Sequence, residues 1–156
     1  MAKEKPAGEK MVCVNRQARH NYFIDEVYEA GLVLLGSEVK SLREGKANLK
    51  DSYARIQKGE AFLINAHVSP YPGANQFNHE PTRARKLLLH GREIERLTGK
   101  TKEKGLTLIP LRLYFKNGKA KVELGLARGK KLYDKRETLK RKMAEREVER
   151  SLKSRY

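Results

Sequence analysis

Cysteine, aspartate and long apolar runs are all scarce in this chain, and each scarcity closes off a class of protein. Cys13 is the one cysteine. An internal disulfide framework and a multi-cysteine zinc site are therefore excluded, and Cys13 reads as a buried small hydrophobe. Aspartate occurs only at Asp25, Asp51 and Asp134, so a multi-carboxylate magnesium centre of the kind many nucleases use would need scattered glutamates. No apolar run approaches the roughly 18 to 20 residues of a spanning helix, and Met1 to Lys10 lacks an apolar signal-peptide core. The expectation is a cytoplasmic protein that does not enter a membrane.

Other catalytic and cofactor signatures are missing as well. His20, His67, His79 and His90 are too dispersed for a local metal motif. Thr98-Gly99-Lys100-Thr101 resembles the end of a phosphate-binding loop, but Ile94 stands where the earlier glycine is required and no strand precedes it. Neither G-x-S-x-G nor G-x-G-x-x-G occurs. The expectation is a protein with no catalytic residues, no metal and no cofactor.

What the chain does have is positive charge: 35 Lys and Arg stand against 19 Asp and Glu, a formal charge of +16. Such an excess calls for a polyanion, with nucleic acid as the first candidate. Apolar residues are 38% of 156, which suits one thin core with some of the chain outside it. The expected organisation is a flexible basic arm over residues 1–10, a folded unit over 11–128 and a basic tail over 129–156.

Within the folded unit, alternation from Tyr22 predicts a strand, then a turn at Glu29-Ala30-Gly31, then a more buried strand at Leu32 to Leu35. Ser37 is placed to cap a short helix that Gly45 ends. Tyr53 to Gln57 and Ala61 to Ala66 flank Lys58-Gly59-Glu60 as a hairpin. Ser69 to Arg85, rich in proline, glycine and asparagine, reads as a long functional loop. A second helix is expected from about His90 to Leu97, with Gly99 past its end. Asn117-Gly118 joins Thr107 to Phe115 with Ala120 to Ala127, because this pair accepts the positive φ angles of a type I′ turn. Three hairpins without a βαβ rhythm predict a mainly β fold, a small antiparallel barrel like the oligonucleotide-binding (OB) fold, with two or three short helices and the basic C-terminal tail.

The tail carries a weak apolar stripe at Leu139, Met143, Val148 and Leu152. Pairs such as Glu137 with Arg141 add only about 0.2 to 0.5 kcal/mol each. That is too little to order a lone segment against its chain entropy, so the tail is expected to be disordered until bound.

Cations gather in four places: Arg16, Arg19 and His20; Lys40, Arg43 and Lys46; Arg83, Arg85 and Lys86; and the tail. Cations contact phosphate, while His20, Tyr22 and Tyr133 offer rings for base stacking. These residue types in one groove would suit RNA.

Asn15-Arg16-Gln17-Ala18-Arg19-His20-Asn21-Tyr22 and Tyr28-Glu29-Ala30-Gly31 open a series of blocks that resembles the SsrA-binding protein family. Gly36 to Asn48, Arg85 to Leu89, and Gly125 to Lys131 with Asp134-Lys135-Arg136 continue the resemblance in the same order. The resemblance implies an OB-like barrel that binds the tRNA-like domain of tmRNA. By that resemblance Glu29, Leu88 and His90 are tmRNA-binding positions, and together with the cation and ring clusters the expected contacts are Asn15, Arg16, Arg19, His20, Tyr22, Glu29, Lys40, Arg43, Lys46, Asn48, Arg83, Arg85, Lys86, Leu88, His90 and Lys121. It also implies that Gly129, Lys130, Lys131, Tyr133, Asp134, Lys135 and Arg136 approach the decoding centre of the small ribosomal subunit, the tail turning helical inside an empty mRNA channel. Further expected partners are elongation factor Tu and GTP, with alanyl-tmRNA and a monomeric protein. His90 stays open between two roles: helix cap with Glu93 three residues on, or RNA contact.

Overall fold

Alternating stretches become antiparallel sheet. In the computed structural model, which describes residues 8–103, 105–130 and 132–154, the elements are β1 (Glu9–Val14), α1 (Ala18–Asn21), β2 (Tyr22–Leu32), α2 (Gly36–Arg43), β3 (Ala47–Asn48), β4 (Tyr53–Gln57), β5 (Glu60–Ile64), β6 (His67–Val68), β7 (Arg85–Leu88), α3 (Gly91–Glu103), β8 (Thr107–Lys116), β9 (Lys119–Gly129) and α4 (Leu132–Ser154). The main sheet runs β1-β8-β4-β5-β7-β2-β9, and β9 also pairs with β8. The sheet therefore returns on itself as a ring of β8, β4, β5, β7, β2 and β9. This is the mainly β, antiparallel, OB-like arrangement expected.

Two turns match their sequence signals. Lys58 and Gly59 have φ of 52° and 73°, and Asn117 and Gly118 have 51° and 78°, the left-handed pair that a two-residue I′ hairpin needs. Inside the ring the core is aliphatic, with Leu63, Leu87, Leu97, Leu108, Leu124 and Leu126 almost wholly buried. A second, smaller cluster forms outside it, where Ala18 of α1 covers Ile109, Leu111 and Ala127. β8 is thus buried on both faces. Pro110, which has no N–H for the ladder, sits where the β8–β9 register shifts.

Four expectations need correction. β2 runs unbroken through the expected turn, and Glu29, Ala30 and Gly31 pair with Glu123, Val122 and Lys121 of β9. Gly31 is needed for close approach instead: a Cβ there would lie 3.2 Å from Leu88 Cβ. Ser37 is not the cap of α2, which begins one residue earlier; the Leu35 N–H donates to Glu38 Oε1 at 2.8 Å. Helix α3 continues through Gly99 to Glu103, because Leu97 is buried and both Arg96 and Lys100 bind Glu26 of β2, at 2.7 and 2.6 Å. Finally, β1 reaches back to Glu9, so Glu9 and Lys10 pair with Lys116 and Phe115 rather than lying in an irregular arm.

The loop before β7 is anchored by buried polar groups. Ser37 Oγ lies 2.8 Å from His79 Nδ1, and His79 Nε2 lies 2.9 Å from the Val68 carbonyl. A carbonyl only accepts, so Nε2 carries the proton and Ser37 donates to Nδ1. Among the described residues no helix is long and apolar enough to cross a membrane.

Candidate nucleic-acid interface

Strand β2 determines where the expected site residues lie. Tyr22 pairs with Gly129 at one end, and Gly31 pairs with Lys121 and Leu88 at the other. Nine residues at about 3.3 Å each separate these ends by roughly 30 Å. The cations therefore do not line one local groove; they form two poles.

At the Gly31 pole, Glu29, Leu88, His90 and Lys121 line one open pocket of about 640 Å³, with Phe115 and Val39 among its apolar walls. Leu88 is 54% exposed although it ends a strand. Glu29 is held firmly. Tyr114 Oη–H donates to its Oε2 at 2.6 Å and Lys116 Nζ–H to the same oxygen at 3.5 Å. The Tyr114 hydrogen bond leads the causes that lower its carboxyl below the usual range; partial burial opposes it, and Lys116 and Lys121 add to it. The phenol responds in the opposite sense, pushed up first by burial and then by Glu29.

His90 leads into α3 and also lines the pocket. Its backbone N–H donates to Glu93 at 3.1 Å, and its carbonyl accepts from Ile94 at 3.0 Å. The backbone thus opens α3 at the residue that lines the pocket. Helix α2 contributes Val39 to the same pocket and carries Lys40 and Arg43 on its exposed side. Lys40 Nζ stands 5.4 Å from the Tyr71 ring centroid, and Lys46 pairs with Glu44 at 3.0 Å. Asn48 is exposed, its side chain accepting from the Lys50 N–H.

Arg85 leaves the set of RNA contacts. Its side chain is fully buried and bound to the equally buried Glu38, with further donations to the carbonyls of Ala66 at 2.8 Å and Pro81 at 3.1 Å. A guanidinium so enclosed organises the core and does not reach phosphate. Arg83 binds the other Glu38 oxygen at 2.5 Å with its side chain 32% exposed. Lys86 is exposed and stands 3.6 Å from Glu60.

At the Tyr22 pole, Arg16 and Arg19 are exposed and His20 and Tyr22 half-buried. Asn15 is occupied structurally: its side-chain amide donates to Pro110 O at 2.9 Å, and its N–H to Leu111 O at 2.8 Å. The root of the tail is tied here. The Lys130 N–H donates to Asn21 O at 2.9 Å and its Nζ to Arg19 O at 3.1 Å. Arg128 and Lys130 both stand over the Phe23 ring, at 5.2 and 4.9 Å. Gly129 and Arg136 are exposed, as is α4 from Lys140 to Lys153. Lys131 and the side chains of Tyr133, Asp134 and Lys135 lie outside what the structure describes.

Sequence reasoning missed Lys119, Phe115 and Gly31 at the pocket and Phe23 at the tail root. Alternation was the available signal for one of them, since Lys119 and Lys121 fall two apart on β9 and so share a face.

With this geometry in place, the comparisons with known proteins are specific. The family model described as SmpB protein matches residues 12–154. An SsrA-binding protein of Desulforudis audaxviator is 70% identical over 143 residues, covering 92% of this chain and 94% of the relative. One from Geobacillus thermodenitrificans is 62% identical over 151 residues, covering 96% and 97%. A solved chain described as "tmRNA-SmpB: a journey to the center of the bacterial ribosome" is 52% identical with a TM-score of 0.66, covering 81% of this chain and 93% of that one.

Proposed function

This chain belongs to the SmpB family, and from that membership we propose that it binds the tRNA-like domain of tmRNA and delivers it to stalled ribosomes for trans-translation. The observation that carries the reading is the convergence of Glu29, Leu88, His90 and Lys121 on one pocket, beside the cations of α2. These residues come from three separated strands and a helix start, and folding alone brings them together.

The two poles divide the work. The Gly31 pole, with Lys40, Arg43 and Lys46 nearby, grips tmRNA. The Tyr22 pole adds Arg16, Arg19, His20 and Tyr22 to the tmRNA contacts and carries the tail toward the small subunit. Lys130, Lys131 and Arg136 supply cations there, and Tyr133 a ring. An RNA-lined channel releases counterions when a cationic segment enters, and an mRNA already present excludes that segment. The tail thus reports an empty channel. Helix α4 is exposed from Lys140 to Lys153 and its pairs of charges are individually weak, so enclosure in the channel is what holds it as a helix.

The role is placement, with no turnover by the protein itself. Alanyl-tmRNA, this protein and elongation factor Tu with GTP enter the vacant site as one tRNA-like object in the cytoplasm. Deleting residues after Arg128 tests the division: tmRNA affinity stays within about threefold, whereas peptide tagging on stalled ribosomes stops. Loss of tmRNA binding in that truncation refutes the two-pole assignment.

A further inference from the structure

The pocket at the Gly31 pole has one feature that phosphate binding does not explain. Its rim in this strongly cationic chain includes an anchored carboxylate, Glu29. A carboxylate repels phosphate and needs a donor partner. Its hydrogen bonds from Tyr114 and Lys116 both end on Oε2. No hydrogen bond to Oε1 is formed among the described residues, so one oxygen is uncommitted and the other retains lone-pair capacity.

We infer that this pocket receives one unpaired guanine of the bound RNA, and that Glu29 selects it. The inference rests on the tmRNA reading above. Guanine alone among the four bases places two adjacent donors, N1–H and N2–H, on its Watson–Crick edge, a spacing that two carboxylate oxygens match. Adenine and cytosine each set one amino group beside an acceptor nitrogen, which would face the carboxylate's own lone pairs. Uracil sets its single donor between two carbonyls. The discrimination is therefore repulsive against the wrong bases as well as attractive toward the right one.

The surroundings suit a base. Leu88, 54% exposed, offers an apolar face for the ring to lie against, and Phe115 and Val39 continue it inward. Gly31 keeps the space beside Leu88 open, since a Cβ would press against Leu88 Cβ at 3.2 Å. Lys119 and Lys121 at the rim supply charge for the phosphates on either side. A base held within a duplex does not present its Watson–Crick edge, so the ligand is a splayed nucleotide from a loop or bulge.

The test uses the full chain and the tRNA-like domain of tmRNA in which each guanosine outside the stems is replaced, one at a time, by inosine. Inosine keeps N1–H and lacks the 2-amino group, and it leaves the protein unaltered. One position is expected to weaken wild-type binding about tenfold, in line with the value of a good base contact. Against Glu29→Gln the same substitution changes affinity less than twofold, and Glu29→Gln itself binds the unsubstituted RNA about tenfold more weakly. Equal wild-type affinity for every inosine RNA overturns the guanine assignment. A tenfold inosine penalty that persists in Glu29→Gln overturns the role of Glu29. In both cases preference for the tRNA-like domain over bulk tRNA stands. Loss of that preference in the wild type, by contrast, overturns the tmRNA reading and this inference together.

Discussion

Replacing Glu38 by glutamine should be among the most damaging single changes in the barrel, although Glu38 touches no candidate RNA contact except Arg83. Its side chain is fully buried and receives the Leu35 N–H at 2.8 Å, Arg83 at 2.5 Å and the buried Arg85. The carboxamide removes the charge that compensates Arg85 but leaves that guanidinium enclosed. Breaking a buried pair in this way costs about 3 to 5 kcal/mol. For a protein near 150 residues each kcal/mol moves Tm by about 2 to 4 °C, so Tm falls by about 6 to 20 °C. Urea unfolding at pH 7 reads the loss directly, as a lower midpoint with an unchanged slope. Replacing Glu38 and Arg85 together by methionine should cost less than Glu38→Gln alone, because no fully buried charge is then stranded, Arg83 being 32% exposed. A loss below about 1 kcal/mol for Glu38→Gln would refute the claim that Arg85 is committed to the core.

Acid should destabilise the protein through the same group. Burial pushes the Glu38 carboxyl up, but the hydrogen bonds from Arg83, Leu35 and Arg85 outweigh it and hold the carboxyl below its ordinary range. Its contribution is therefore complete above the unfolded value of about 4.3 and is lost as pH falls through the lower folded value. Urea midpoints across pH 7 to 2 check this, with a pH-independent midpoint as the contrary result. His79→Ala should lower stability by about 1 to 3 kcal/mol, by leaving Ser37 and the Val68 carbonyl without their buried partner; unchanged unfolding would contradict it. Cys13, whose thiol burial pushes up to about 11, should alkylate at pH 8 many times more slowly than in the urea-unfolded chain. Equal labelling rates would contradict that.

Local signals were readable wherever the chain decides its own geometry. Asn117-Gly118 and Lys58-Gly59 each occupy positive φ, a demand expressed within two residues, and both hairpins follow. Gly31 was misread for a reason local sequence does not contain. A glycine in an apolar run marks a turn or a close approach, and only the arrival of Leu88 from β7 decides between them. Arg85 was misread likewise, since a cation at the end of a polar loop reads as surface until its distant partner, Glu38, is seen. Gly99 read as a helix stop because the pull of Glu26 on Arg96 and Lys100 comes from another strand.

For the site, cationic composition pointed to RNA, and resemblance singled out Glu29, Leu88 and His90. Neither revealed that these residues share a pocket, nor that the expected cations divide between two poles. That separation follows from β2 being one unbroken strand, in which Tyr22 and Gly31 occupy opposite ends.

Recognition of a folded RNA is separated from attraction to any polyanion by a salt-titrated competition between the tRNA-like domain of tmRNA and bulk tRNA. Non-specific attraction weakens steeply as salt rises, whereas contacts to base edges and shape persist as a ratio of affinities. The tRNA-like domain should retain a preference of at least about a hundredfold at physiological salt. Equal affinity for the two RNAs there would contradict it.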